Sequence, residues 1–185
     1  MKKITLSGNA GTGKTTIAKT ISEQLKFEFI SIGNFTREYA KAKFNMNIND
    51  FQLKCLQEPE LDNIIDIRFS DLCNQKDGIV ADYRLGFYFI KGAFNVLLKV
   101  SDDVAFNRIN YANRTDELTD KESIGKRNHD MKQRFIDKYD IDYTDEKNYS
   151  LIINTDNYSP TEVSKLIITK FHQYENAYSD RSRLI

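Results

Sequence analysis

Short apolar stretches alternate with amphipathic stretches along most of the chain. The first of them, Lys2–Ser7, alternates polar and apolar residues, which is typical of a β-strand. Apolar residues then recur at helical spacing, at Ile17, Ala18, Ile21 and Leu25. The pattern therefore predicts a strand, a connecting loop and a helix that begins near Lys14.

Four more strands and a series of helices are predicted downstream. The strands are Phe27–Ser31, Ile79–Asp82, Asn95–Val100 and Leu151–Asn154. Helices are expected over Asn34–Phe44, from Pro59 onwards, after an N-cap at Ser101, and from Pro160 onwards after an N-cap at Ser159. Five strands that alternate with helices indicate an α/β fold of three layers, in which a five-stranded parallel sheet is flanked by helices and binds ligands at the carboxyl ends of its strands.

The stretch from Asn113 to Asp145 differs from the rest of the chain. It is dense in charged residues and poor in branched aliphatic residues, and Thr119–Glu122 has the sequence of a capping box. We therefore predict a mostly solvated helical excursion from the sheet.

Composition and charge limit the functional classes. The chain has 185 residues, with 27 Lys and Arg residues against 27 Asp and Glu residues, so net charge gives it no general attraction for nucleic acid. Cys55 and Cys73 are too few for a disulfide framework and are predicted to be reduced. No apolar stretch has the length of a membrane span, and no signal sequence precedes the first strand. We expect one soluble, cytoplasmic domain, monomeric, with neither nucleic acid nor membrane as a partner.

The first loop carries the most specific motif. Gly8–Thr15 fits G-x-x-x-x-G-K-[ST] and lies between the predicted strand and helix, as such a loop requires. Its backbone N–H groups would surround the phosphates of ATP, Lys14 would reach the β- and γ-phosphates, and the Thr15 hydroxyl would hold Mg²⁺. The predicted ATP site comprises Gly8, Asn9, Ala10, Gly11, Thr12, Gly13, Lys14, Thr15 and Thr16.

Four blocks of sequence extend this motif into a wider similarity. They are Gly8–Thr16, Ser31–Ala40, Asp82–Leu85 and Tyr139–Thr155. Together they resemble the archaeal-type cytidylate kinase family, within the P-loop nucleoside monophosphate kinases. The resemblance implies a single P-loop kinase domain over residues 1–185. Its core would be 1–33, 75–112 and 148–185, its acceptor-binding helical segment about 34–74, and its helical lid about 113–145.

The same resemblance implies a reaction and its residues. The γ-phosphoryl group of MgATP would pass to CMP or dCMP, with Mg²⁺ as cofactor and the two nucleotides as small-molecule substrates. Lys14 and the lid residues Arg127 and Arg134 would be catalytic, and Asp82 would join Thr15 at the metal. Acceptor contacts are implied for Ser31, Gly33, Arg37, Arg84 and Asp130. Arginines suit a reaction that brings two polyanions together.

Other interpretations of these residues stay open from the sequence alone. Arg37 could pair on the surface with Glu38 or Glu28, and Arg84 could pair with Asp82. The charges of the lid could form a solvated network along a helix.

The identity of the acceptor also has alternatives. Tyr83 and Phe87 stand where the family has small residues, and rings beside the acceptor pocket would narrow it. UMP, AMP or a non-nucleotide acceptor therefore competes with CMP. A regulatory module that binds a nucleotide without catalysis is the alternative from another class.

Overall fold

The computed structural model of the protein describes residues 2–111 and 121–182, with side chains up to residue 177. Its strands are β1 Lys3–Gly8, β2 Glu28–Ser31, β3 Ile79–Asp82, β4 Phe94–Lys99 and β5 Leu151–Asn154. Its α-helices are α1 Lys14–Leu25, α2 Ile32–Phe44, α3 Ile48–Gln57, α4 Glu60–Asn74, α5 Gly86–Phe89, α6 Asp102–Tyr111, α7 Lys121–Tyr139 and α8 Pro160–Ser182. Thr119 and Asp120 of the predicted capping box lie outside the described residues.

The sheet confirms the predicted α/β fold. Its five strands are parallel, in the order β2-β3-β1-β4-β5. The bounds of β3 and β5 agree with the prediction, and β4 begins one residue earlier than predicted. The reversal of strand order around β1 brings the loops that follow β1 and β3 to one edge of the sheet, which is where ligands bind in such folds.

The central strand β1 is buried on both faces, although its residues alternate in polarity. Its polar side chains are satisfied by hydrogen bonds to neighbouring segments. The Lys3 ammonium donates to the Asn74 carbonyl at 3.0 Å, and the Thr5 hydroxyl donates to the Asn95 side chain at 2.6 Å. Alternation therefore identified the strand, but it does not mark an exposed face, since helices cover both sides.

Two clusters of buried side chains make the layers on either side of the sheet. One joins the sheet to α1 and α8 and includes Ile4, Val96, Ile21, Ile167 and Phe171. The other joins it to α4 and to the chain after β3, and includes Phe69, Cys73, Ile79, Tyr83 and Leu85. A third cluster packs α2, α3 and α4 against one another and includes Ala40, Phe51, Cys55, Leu61 and Ile65. Both cysteines are free and buried, and burial raises the thiol pKa to about 11 for Cys55 and about 12 for Cys73.

The capping box predicted for the last helix is confirmed. Ser159 donates its N–H to the Glu162 carboxylate at 2.8 Å, and Glu162 donates its N–H to the Ser159 hydroxyl at 3.3 Å. In the described part of the chain, no helix is both long enough and apolar enough to cross a membrane.

The lid helix α7 is largely exposed or half-buried, as predicted for a charged excursion. Two of its side chains nevertheless belong to the interior. Ile124 and Phe135 are buried, and the Phe135 ring packs edge-on against Tyr143 with their centroids 5.6 Å apart. The helix is therefore attached to the core by these buried side chains, and Met131 and Tyr139 also pack against the core.

Candidate active site

The loop between β1 and α1 has the backbone of a phosphate-binding loop. Gly8, Gly11 and Gly13 have φ angles of 139°, 80° and 83°, a region that L side chains rarely adopt. A Cβ on Gly8 would lie 2.2 Å from the Leu98 carbonyl oxygen, and one on Gly11 would lie 2.7 Å from Ala105. The glycines are therefore required both by conformation and by close packing against β4 and α6.

Lys14 places its ammonium group inside this loop. Its Nζ donates to the carbonyl oxygens of Gly8 at 2.8 Å and Asn9 at 2.7 Å, and to the Thr12 hydroxyl at 3.2 Å. The charge thus lies at the mouth of the loop where the β- and γ-phosphates of a nucleotide would bind.

Thr15 and Asp82 meet at the carboxyl ends of β1 and β3. The Thr15 hydroxyl donates to the Asp82 carboxylate at 2.6 Å, and only 9% of Asp82 is exposed. A hydroxyl and a carboxylate oxygen are donors that suit Mg²⁺, which keeps several waters and takes its other ligands from phosphates. These two residues are therefore able to hold the ion together with a triphosphate. The described residues contain no cluster of three or more His, Cys, Asp or Glu side chains arranged for a metal.

One cavity of about 860 Å³ joins this loop to the predicted acceptor residues. Ser31, Gly33, Arg37 and Arg84 line it together with loop residues 10–16. Arg37 donates to the Asn34 side chain at 2.6 Å, and Arg84 donates to the Gly8 carbonyl at 3.2 Å. The structure brings these four residues together with the ATP loop.

Two of the carboxylates considered as surface partners of the arginines, Glu28 and Asp82, bind other groups. The carboxylate of Glu28 binds Lys76, with 2.6 Å between the charged atoms. The carboxylate of Asp82 accepts the Thr15 hydroxyl instead. Both arginines line the cavity, and the Arg84 guanidinium carbon also lies over the Tyr143 ring, 5.9 Å from its centroid.

The predicted lid residues separate into two groups. Arg127 lines the cavity. Arg134, seven residues further along α7, forms an ion pair with Asp62 of α4 and does not line the cavity. Asp130 is exposed on α7 and does not line the cavity either. Of the two predicted lid arginines, Arg127 lines the cavity and Arg134 does not.

Arg108 is a cavity residue that sequence reasoning did not select. Its guanidinium donates to the Thr155 hydroxyl at 2.8 Å and to the Thr155 carbonyl at 2.6 Å. Tyr158 and Pro160 line the same end of the cavity. The signal in the sequence for this contact was Thr155, which belongs to the C-terminal block that resembles the family. The position of Arg108 in α6 follows from the fold and not from a local motif.

Two tyrosines beyond α7 support the loop from the side. The Tyr143 hydroxyl donates to the Asn9 side chain at 2.7 Å, and the Tyr149 hydroxyl donates to Ser7 at 2.9 Å. Burial raises the pKa of both hydroxyls, so they stay protonated and able to donate. The C-terminal block is therefore part of the loop's support.

The expectation that Tyr83 and Phe87 narrow the acceptor pocket is wrong for this structure. Tyr83 is 2% exposed and turns into the core, with its ring 5.0 Å from the Phe69 ring. Phe87 packs edge-on against Tyr149 at 5.1 Å. Neither residue lines the cavity, because the backbone after β3 directs both rings towards buried aromatic neighbours.

The hydroxyl of the buried Tyr83 side chain is hydrogen-bonded to a buried carboxylate. Asp66 of α4 accepts the hydroxyls of Tyr83 at 2.7 Å and Tyr139 at 2.6 Å. Burial raises the pKa of Asp66 above its usual value, and the two hydrogen bonds oppose this shift only in part. Burial, followed by the interactions with Asp66, raises the pKa of both tyrosines. The triad connects α4, the end of β3 and the end of α7.

The cavity concentrates positive charge in a chain whose net charge is zero. Its charged lining consists of Lys14, Arg37, Arg84, Arg108 and Arg127 against Asp82. Such a site attracts polyanions, and its glycine-rich backbone admits phosphate groups at close range.

Known proteins are similar to this chain at three levels. The model of the cytidylate kinase-like family matches residues 3–157. A cytidylate kinase of Methanobrevibacter smithii is 32% identical over 166 residues, which cover 90% of this chain and 96% of that protein. Shikimate kinase from Acinetobacter baumannii has the same fold, with a TM-score of 0.64 at 16% identity over 94% of each chain.

A further relative is a longer protein. It is the S-adenosylmethionine-dependent nucleotide dehydratase of Lacinutrix mariniflava, which is 55% identical over 177 residues. The match covers 96% of this chain, and the chain spans 37% of the length of that relative. The family match and the fold together lead to one conclusion: the chain belongs to the cytidylate kinase-like family and has the fold of a P-loop kinase.

Proposed function

We propose that the protein transfers the γ-phosphoryl group of MgATP to CMP or dCMP, giving the diphosphate and ADP. The observation that carries this proposal is a cavity of about 860 Å³ whose lining includes the phosphate-binding loop together with Arg37 and Arg84. An acceptor that already bears a phosphate needs charge on its own side of the transfer point, and a guanidinium can bind phosphate through two parallel hydrogen bonds.

On the donor side, the triphosphate would lie along Gly8–Thr16 with Lys14 beside its β- and γ-phosphates. Mg²⁺ would be held by Thr15 and oriented by Asp82, and it would neutralise charge between the phosphates. The adenine would lie at the far end of the cavity, where Arg108 and Tyr158 offer flat side chains. Stacking on such surfaces is favourable for any purine.

On the acceptor side, Ser31, Gly33, Arg37 and Arg84 would bind the monophosphate. The proposed chemistry is positioning and charge neutralisation, since the γ-phosphoryl group passes in line between two oxygens. Arg127 would neutralise charge between the two nucleotides. Arg134 and Asp130 remain proposed lid residues that would approach the phosphates only after the ion pair between Arg134 and Asp62 opens.

The test is a coupled assay of ADP release with CMP, dCMP, UMP and AMP as acceptors. We expect CMP and dCMP to raise turnover well above the rate with ATP alone. If none of the four does so, the kinase proposal fails. If UMP or AMP is the preferred acceptor, the assignment of CMP fails while the kinase proposal stands. We expect the active species to be a monomer, which a sedimentation measurement checks. We also expect the protein to be cytoplasmic.

The relative from Lacinutrix mariniflava supports a more specific setting. At 55% identity over 96% of this chain, the shared segment includes the whole P-loop cavity. We propose that this segment performs nucleotide phosphorylation within that longer protein, and that dehydration belongs to the part outside the match. A sample of the present chain should therefore phosphorylate a nucleotide and leave S-adenosylmethionine intact. Consumption of S-adenosylmethionine by this chain would contradict the assignment.

A further inference from the structure

Asn128 connects the lid helix directly to the phosphate-binding loop. Its Oδ1 accepts a hydrogen bond from the backbone N–H of Ala10 at 3.0 Å. Asn128 is half-buried at the middle of α7, and Ala10 lines the cavity. A lid residue therefore binds the same backbone that forms the donor side.

This hydrogen bond is one of several contacts that hold α7. Gly125, Lys126 and Arg127 are exposed, and a Cβ on Gly125 would meet nothing within 4 Å. The other half of α7 is held differently, because Arg134 pairs with Asp62 of α4. Ile124 in this half of the helix is buried, and Lys121 pairs with Asp103 of α6, so the hydrogen bond of Asn128 adds a direct contact with the phosphate-binding loop to this packing.

Arg127 precedes Asn128 and lines the cavity. Consecutive residues of an α-helix have fixed relative directions, so holding the Asn128 side chain on the loop also fixes where the Arg127 side chain leaves the helix. Tyr143 strengthens this arrangement, because its hydroxyl donates to Asn9, the residue before Ala10. Two adjacent loop residues are therefore bound by α7 and by the segment that follows it.

We propose that Asn128 is a positioning residue for phosphoryl transfer: its carboxamide holds α7 on the Ala10 N–H and thereby places Arg127 at the phosphates. This inference rests on the proposed kinase function.

The kinetic test compares Asn128→Ala with Gln133→Ala. Gln133 is an exposed carboxamide on the same helix and contacts Asp137 only one turn away, so its truncation controls for loss of an amide from α7. We expect Asn128→Ala to lower kcat about tenfold with little change in the KM for ATP, because misplacement of a group that acts in the transition state affects kcat. Gln133→Ala should match the wild type.

A double-mutant cycle tests whether Asn128 acts through Arg127. In an Arg127→Ala background, the further change Asn128→Ala should have almost no effect on kcat. If the two losses multiply instead, Asn128 does not act through Arg127 and the inference is overturned. Asn128→Asp gives a second check, since it retains the acceptor atom; we expect a raised KM for ATP from charge repulsion.

Amide hydrogen exchange without nucleotide provides a readout that does not depend on any acceptor. Asn128→Ala should increase exchange in the first half of α7, whereas Gln133→Ala should not. Unchanged exchange would overturn the proposed attachment. If exchange responds as expected but the wild type phosphorylates no nucleoside monophosphate, the proposed function fails. The positioning role of Asn128 in phosphoryl transfer then fails as well.

Discussion

The two sides of the cavity are built from different parts of the polypeptide. The donor side is mainly backbone, a loop whose glycines have positive φ angles and whose neighbours leave no room for a Cβ. The proposed acceptor side includes long side chains, Arg37 and Arg84, which line the cavity from α2 and from the end of β3. Backbone fixes its ligand by shape, whereas side chains can be repositioned, so the first side should tolerate less change than the second.

Adding one methyl group to the loop should have the largest effect. Gly11→Ala would bring a Cβ within 2.7 Å of Ala105 at a φ of 80°, and we expect a loss of transfer on the order of 100-fold from the displaced loop. Gly125→Ala is the matched control, since it has open space and should stabilise α7 by about 0.5–1 kcal/mol. Steady-state kinetics and urea unfolding of both variants check this, and equal activities would contradict it.

Removing an acceptor arginine should have a smaller and more selective effect. Arg37→Ala should raise the KM for the acceptor about tenfold or more, because a charge-assisted hydrogen bond to phosphate is lost. The KM for ATP should change little. Lys43→Ala, which removes an exposed charge from the same helix, is the control. If acceptor kinetics are unchanged in Arg37→Ala, that residue does not belong to the site.

The two sides also differ in how far the sequence could predict them. The loop conformation follows from Gly8–Thr15 because a local motif dictates local backbone. Residues 10–16 line the cavity, and the ATP site stays a prediction. Arg108 was missed because its role depends on the distant Thr155. The position of Arg134 could not be predicted either, since spacing along a helix does not reveal that Asp62 of another helix faces it. Tyr83 illustrates the same limit, because its partner Asp66 is 17 positions away in the sequence.

Arg134 and Asp62 offer a way to sharpen the acceptor side. If Arg134 reaches the phosphates during turnover, Arg134→Ala should lower kcat about tenfold, and Asp62→Ala should leave kcat near the wild-type value because the arginine is still present. If the ion pair has only a structural role, both variants should show the same modest loss of stability and similar kcat values. Kinetics and thermal unfolding of the two variants separate these outcomes.

The smallest expected effect concerns the buried carboxylate beneath the acceptor side. The pKa of Asp66 is raised from 3.8 in the folded protein by burial, so the folded state binds this proton more tightly than the unfolded state. The resulting stabilisation is complete below pH 3.8 and is lost as the pH rises through the folded pKa.

Asp66→Asn removes that titration while keeping polar atoms beside both tyrosines. The stability of the wild type relative to this variant should therefore fall as the pH rises from 3.8 through the raised pKa of Asp66. Urea unfolding at several pH values measures the difference. A difference that does not vary with pH would show that Asp66 titrates alike in the folded and unfolded states.

Binding of a bisubstrate compound tests the central claim, that one cavity holds both nucleotides, most directly. The compound joins adenosine and cytidine through a chain of five phosphates, and its affinity is measured by calorimetry in the presence of Mg²⁺. We predict one molecule bound per chain, with affinity reduced by Lys14→Ala on the donor side and also by Arg37→Ala on the acceptor side. Two molecules bound per chain, or full affinity in Arg37→Ala, would contradict the account.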